Sequence, residues 1–525
     1  MQKVIFIIFL IVFSFFAPIY IYANGLNISN VSLQDRSPGN GTVVVEFDLS
    51  WDNSWHTKIN HDAVWITVRL YDPASSPTYK KLCKLSASGI NPEGTSVGTN
   101  SNLEIYVPED KVGAFVRPAS YGKFSSVSSE GVRLTIDYTS AGFDSMDDVK
   151  VSVFGIEMVY VPEGAFYAGD YDASTASLDQ GGGDSDPWYI SSEGLINVSN
   201  PSADGYRYVS AGNTGEDATG SSFTISSSFP KGYASFYVMK YEVNEGQWVE
   251  FINSLPSDEA RANHDLTDAS HKNTDMVRYR NTISCSGSPL YCSTQRPARA
   301  LNYLSWKDLA AFLDWAGLRP MTELEYEKAS RGPLLSVAGE FAWGTVNIVE
   351  ATAISSGEEL GAETIVTPGA NANYNSVVFT GGDAVNGAEY AQGALRGGIF
   401  ATADSNRETA GAGYYGVMEL SGNLAERIVT IGNSSGRSFS GSHGDGYLST
   451  APGYEGNATN TDWPGINDMP SYGVTGAAGT GFKGGAWSDR NAGAKLRVSD
   501  RSDAAKASEA ASNNAGGRGV RSCCE

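Results

Sequence analysis

Charge is scarce in this chain. Of its 525 residues only 18% are Asp, Glu, Lys or Arg, and 59 acidic residues stand against 37 basic ones, for a formal net charge of -22. A surface of that sign repels phosphate backbones and anionic lipid, so nucleic acid is not an expected partner. Histidine is scarcer still: His56, His61, His264, His271 and His443 are scattered without ligand spacing. The five cysteines form no CxxC pair, which argues against a zinc site. Beyond residue 25 no apolar run is long enough to cross a bilayer, so no membrane span is expected after the N-terminal segment.

That first segment is different. Met1-Gln2-Lys3, an apolar run from Val4 to Phe16 and then Ala17-Pro18 have the basic start and greasy middle of a signal peptide. Cleavage after Ala23 is expected (residues 1–23), with an uncleaved anchor as the alternative. The chain is thus read as exported: periplasmic, cell-surface or secreted. In an oxidising compartment Cys285 and Cys292, which close a short loop, are the first choice for a disulfide. Cys523 or Cys524 bridging to Cys83, or remaining free, stays open.

The length predicts several units at ~100–200 residues each, and two are expected. Residues 25–155 read as a β-sandwich, because 42–51, 63–71, 103–107, 132–138 and 149–153 alternate or run apolar between turn residues. Trp51, Trp55 and Trp65 are expected in its core, with a sugar-stacking platform as the alternative. In 170–229 the Gly-, Ser- and Asp-rich composition predicts an extended surface loop. Helices are expected over 242–255 and 306–316, the latter capped by Ser305 with Asp308. A third follows Thr322 with Glu325 in the equivalent place.

Six segments then follow one another at sensible distances. They are residues 158–164 (MVYVPEG); 236–244 with Glu242-Val243-Asn244; 302–306 running on to Trp315; Arg319-Pro320-Met321-Thr322-Glu323 with Glu325-Tyr326-Glu327; 415–423 (YGVMELSGN); and Lys483-Gly484-Gly485-Ala486-Trp487 with Gly517-Arg518-Gly519-Val520. Together they resemble the formylglycine-generating-enzyme, or sulfatase-modifying-factor, family. The resemblance implies an irregular, C-type-lectin-like α+β unit over 156–525, and hence an α+β chain in which an all-β sandwich precedes that unit. Each segment also has a purely architectural reading, in which Glu and Arg331 pair at the centre and Gly484-Gly485 permit close backbone approach.

The resemblance also implies chemistry. Enzymatic members oxidise a substrate cysteine with two cysteines that hold copper, and two thiolates suit soft Cu(I). Here the matching positions fall near Asp489 and Ala494, and no cysteine occurs between Cys292 and Cys523. No catalytic residue is therefore assigned, and neither a copper site nor the histidine triad of iron-dependent relatives is evident. The family's calcium loop maps onto the carboxylates of Glu419 and Glu426 with the carbonyls of Gly422 and Leu424, which implies a structural calcium ion. A second, weaker site would use Asn373 and the Tyr374 carbonyl with Glu389 and the Ala391 carbonyl. Where the cysteines would be, Ser488, Asp489, Arg490, Asn491, Lys495, Ser499, Asp500 and Ser502 are expected to face a protein or glycan ligand.

Three functional readings stand. The first is an exported, non-catalytic binding or adhesion module, including the case of a diversified receptor displaying its C-terminal loop. The second is an active formylglycine-generating-type oxidase, and the third is an envelope structural protein.

Overall fold

The structure, a computed structural model, describes residues 25–523 apart from 75–78, 146, 172, 182–185, 200–204, 218–221, 268–278, 356–362, 382–390 and 492. The signal segment, His271, Glu389 and Cys524 lie outside the described residues.

Alternation builds the N-terminal unit. In the strand Thr42–His56, Val43, Val45, Phe47, Leu49 and Trp51 are buried while the residues between them are not, because successive side chains leave a strand on opposite faces. This strand pairs antiparallel with Asn27–Leu33 on one side and Gly122–Asp137 on the other. A second sheet centres on Asp62–Tyr71, which pairs with Lys150–Val161, Lys81–Leu85 and Ala114–Pro118. The short strand Lys81–Leu85 also reaches Gly122–Asp137, so it is the corner at which the two sheets join. Val45, Phe47 and Leu134 meet Val64, Ile66 and Val68 in the core between them. Burying each such side chain contributes about 1.5–3 kcal/mol. Cys83 lies in this interior as a free thiol, so it forms no bridge to Cys523.

Asp62–Tyr71 is buried on both faces, Tyr71 alone excepted, since its outer face carries the second unit. There Trp65 packs with Phe115, and its indole N–H donates to the Ala316 carbonyl at 2.9 Å. The expected boundary at 155–156 falls inside a strand. Residues 150–159 of Lys150–Val161 pair with Asp62–Tyr71, and residues 158–161 pair with Phe236–Met239. The ladder continues through Gly519–Ser522 to Arg319–Pro320. One sheet thus runs unbroken from the sandwich into the C-terminal unit. Ion pairs cross the join, from Arg521 to Asp110 at 2.5 Å and from Lys240 to Asp62 and Glu157 at 3.4 and 3.3 Å.

Three capped helices organise the C-terminal unit: Glu245–Asn253, Trp306–Trp315 and Glu323–Arg331. Each opens on a capping box, formed by Asn244 with Gln247, Ser305 with Asp308, and Thr322 with Glu325. In such a box two otherwise orphaned amides are satisfied reciprocally, and losing the cap side chain costs ~1 kcal/mol. The Cys285–Cys292 disulfide is present in a small hairpin.

The expectation of an extended loop over 170–229 is corrected. Short strands between Phe166 and Ile225 form a six-stranded sheet, in the order Phe166–Ala168, Asp186–Ile190, Asp179–Gln180, Tyr206–Arg207, Ile196–Val198 and Phe223–Ile225. None exceeds five residues, too short for alternation to register against the glycines and serines between them. Trp188 anchors this sheet, fully buried, with its indole N–H on the Asp179 carbonyl at 2.8 Å.

Candidate functional site

A three-stranded sheet brings distant segments together: Ala425–Val429 pairs antiparallel with Thr480–Lys483 and parallel with Ala515–Gly516. The turn before it is tight, with left-handed backbone at Glu419, Gly422 and Asn423 (φ 55, 92 and 62°). At its centre is Arg518. Its Nε donates to both Glu426 oxygens at 2.7 and 2.9 Å, and its other nitrogens reach the carbonyls of Met239, Lys240 and Met418. Glycines make this approach possible: a Cβ on Gly517 would stand 2.6 Å from Leu309, and one on Gly519 would stand 2.4 Å from Leu313.

Two more carboxylates surround the same guanidinium. Glu242 accepts from the Asn423 amide and, at 2.9 Å, from the Leu424 backbone N–H. Burial, followed by the neighbouring Glu426, holds its carboxyl well above the ordinary range. Burial likewise pushes Glu419 up to about 7. One Glu419 oxygen accepts the Gly398 amide at 2.7 Å, and the other has no hydrogen-bond partner. Burial opposes the charge on Arg518, but Glu426, Glu242 and Glu419 together outweigh it and raise the pKa.

The donors expected for calcium, which needs six to eight oxygens, are placed as follows. The Glu426 carboxylate accepts from Arg518. The Gly422 and Leu424 N–H groups donate to Gly484 and Glu242, and it is their carbonyls that the expected site would use. Of the second expected site, Asn373 turns its amide to Gly393 and Asn423, the Ala391 carbonyl accepts the Phe379 N–H, and Tyr374 is buried beside Phe341, Trp343 and Leu496. No group of three or more His, Cys, Asp or Glu among the described residues is placed to hold a metal ion.

Beyond the turn, four of the expected ligand residues converge. Asp489, Lys495, Asp500 and Ser502 line one cavity of about 200 Å³, together with Lys483, Asp503 and Asn514. Lys495 pairs with Asp503, and Lys506 reaches the same carboxylate at 3.6 Å. Lys483 is fixed by Glu327 at 3.1 Å and by the Asp500 carbonyl at 2.9 Å. Burial raises the Asp489 pKa, although its carboxylate accepts the Ala486 N–H at 2.7 Å. Ser488 sits at the rim, where its hydroxyl accepts from Asn514 at 3.0 Å. Arg490 and Asn491 are exposed outside the lining. Ser499 departs from expectation: it is buried, its hydroxyl accepts from Arg331 at 2.8 Å, and it belongs to the ion-pair interior.

The order of these segments along the chain and their meeting at Arg518 and the cavity agree with a direct comparison, in which residues 208–523 match the sulfatase-modifying factor enzyme 1-like domain. The chain belongs to this family. No individual curated protein matches it. Within the sulfatase-modifying-factor domain, the positions that the resemblance assigns to the cysteine pair, near Asp489 and Ala494, lie at the cavity. Its lining supplies amines, carboxylates, hydroxyls and an amide.

Sequence reasoning missed a second, larger opening. A cleft of about 820 Å³ lies between the sandwich and the family domain, with Trp55 and Lys123 on one side and Tyr241, Arg396, Arg407 and Tyr414 on the other. The one sequence signal was Trp55. Trp51 is fully buried in the sandwich core as expected, Trp65 is fully buried against the C-terminal unit instead, and Trp55 is half-buried, with the Lys240 ammonium 4.9 Å from its ring centroid.

Proposed function

We propose that the sulfatase-modifying-factor domain of this chain is a non-catalytic ligand-binding module, exported with its sandwich, whose binding surface is the cavity at Asp489, Lys495, Asp500 and Ser502. The observation that carries this reading is the convergence of those four side chains at the position where the resemblance places a copper-holding thiol pair. Oxidation of a cysteine through Cu(I) needs soft thiolate donors. Lysine amines and aspartate carboxylates instead offer directional, charge-assisted contacts to a polar ligand such as a peptide segment. Because Lys495 and Lys506 share Asp503, the cavity is close to charge-balanced, which favours ligands carrying both a donor and an acid group.

The test has two arms. Incubating the full chain with a sulfatase-motif peptide, copper and oxygen should give no aldehyde above a protein-free control; aldehyde formation would establish the oxidase reading instead. On peptide and glycan arrays the chain should retain a ligand that Lys495→Ala and Asp489→Ala each release. Binding unchanged in both variants would remove the cavity from the function.

A further inference from the structure

We propose that the cleft between the sandwich and the sulfatase-modifying-factor domain is a second binding site, and that it takes an anionic oligosaccharide. The site is independent of the cavity at Asp489 and rests on different residues.

The cleft is built into the fold. The unbroken sheet through Lys150–Val161 fixes its two walls relative to each other, and Asn60 ties them by donating its amide to the Tyr415 carbonyl at 2.6 Å. At Gly416 (φ 93°) a Cβ would come within 3.0 Å of the Trp55 ring, so the floor closes tightly under that indole. A volume of about 820 Å³ lies within the ~300–1,000 Å³ of small-molecule sites.

Its charge runs against that of the molecule. On a chain of formal charge -22 the cleft is lined by Lys123, Lys240, Arg396 and Arg407, while Asp52 is the one carboxylate among the described lining residues. Lys240 is offset from below by Asp62 and Glu157, and Arg396 lies 3.7 Å from Glu363. The remaining two are differently placed. Lys123 is exposed at the rim, and Arg407 donates to the Ser330 and Ala342 carbonyls at 2.9 and 2.6 Å while its buried Nε makes no hydrogen bond. The hydrogen-bond acceptors of Arg407 are neutral, and the nearby Glu340 carboxylate is itself paired with Arg331; with Lys123 at the rim, the cleft is the place where the surrounding negative field is locally offset.

Aromatic and amide groups choose the ligand class. Trp55 and Tyr414 are half-buried, and rings of this kind present an apolar body with a polar tip, suited to the C–H face of a sugar. Thr402, Asn406 and Asn53 on the walls match hydroxyl-rich ligands. A peptide would more readily need an open sheet edge or a run of apolar anchor pockets, and this cleft supplies neither.

Titration calorimetry on the full exported chain would test this with four probes: tetragalacturonate and a heparin tetrasaccharide for the two acid chemistries, maltotetraose as the neutral sugar, and tetraglutamate as the acidic peptide. At least one acidic saccharide should bind, with affinity falling as salt rises. Lys123→Glu and Ala403→Trp both alter exposed cleft positions, so the fold should survive, as an unchanged melting temperature would verify. Each should weaken that binding by about tenfold or more, ~1.4 kcal/mol. The proposal is overturned if neither acidic saccharide binds, if maltotetraose or tetraglutamate binds as well as they do, or if binding survives Ala403→Trp.

Discussion

The interior of the sandwich is aliphatic, with Val43, Val45, Leu134, Ile136 and their neighbours meeting across two sheets. In the sulfatase-modifying-factor domain the helix Glu323–Arg331 places all nine of its residues in the interior, and five of them carry charged groups. Every one of the five has a partner: Glu323 with Arg501, Glu325 with Arg319, Glu327 with Lys483 and Arg331, Arg331 with Glu340, and Lys328 with the Gly164 carbonyl. Removing a methylene from the first interior costs a graded amount. Removing one partner from the second strands a charge out of water, which costs more and at one step. Ladders therefore hold the first unit, whereas a connected set of ion pairs fixes the loops of the second, where regular structure is sparse.

The sharpest way to break this contrast is at Arg518. Arg518→Ala would leave the carboxylates of Glu242, Glu419 and Glu426 buried around a void. A loss of about 3–5 kcal/mol or outright failure to fold is expected in urea unfolding followed by tryptophan fluorescence. In the sandwich, Leu134→Ala removes a fully buried aliphatic side chain. Its expected cost is about 2–4 kcal/mol with cooperative unfolding retained, again read from the urea midpoint. If Leu134→Ala proved costlier than Arg518→Ala, the division of labour between the two interiors would have to be reversed.

A pH series sharpens the comparison further. Burial raises Glu419 to about 7, so the folded chain binds this proton more tightly than the unfolded chain does. The sign follows from linkage. Between the ordinary glutamate value and pH 7 the folded state holds more protons, so this group's contribution to stability falls as pH rises and is lowest above 7. Glu419→Gln should be close to neutral near pH 4 and stabilising by about 1–3 kcal/mol at pH 8, measured as the difference in unfolding free energy. A difference independent of pH would show that Glu419 is not held in this way. The smallest effect is expected from EDTA. Where Arg518 supplies the cation for the 419–426 turn, EDTA should leave the melting temperature unchanged. A fall of several degrees would assign calcium to the loop instead.

What the sequence made legible follows physical range. Residues 42–51 were readable because alternation over ten residues is a local signal, the other sandwich strands because short alternating or wholly apolar runs stand between turn residues, and the caps at Ser305 and Thr322 because each box closes within three residues. Cys285 and Cys292 were close enough to pair on spacing alone. The small sheet between Phe166 and Ile225 was not readable, since strands of two to five residues carry no period. Nor was the partner of Glu426. Arg518 lies 92 residues away, and only the topology brings it under the turn. Asp489, Lys495, Asp500 and Ser502 were found because the resemblance located the surface, but Ser499 was misplaced because an irregular turn has no face rule to say which neighbour points inward. The cleft at Trp55 escaped because its two walls are remote in sequence.

The strand shared by both units also has a mechanical meaning. A ligand pulling on the sulfatase-modifying-factor domain against a held sandwich would load Lys150–Val161, whose hydrogen bonds to Asp62–Tyr71 and Phe236–Met239 lie across its length. Sliding that strand would require many of these bonds to yield together, whereas a flexible linker would give way by simple extension. The junction is thus suited to bearing tension.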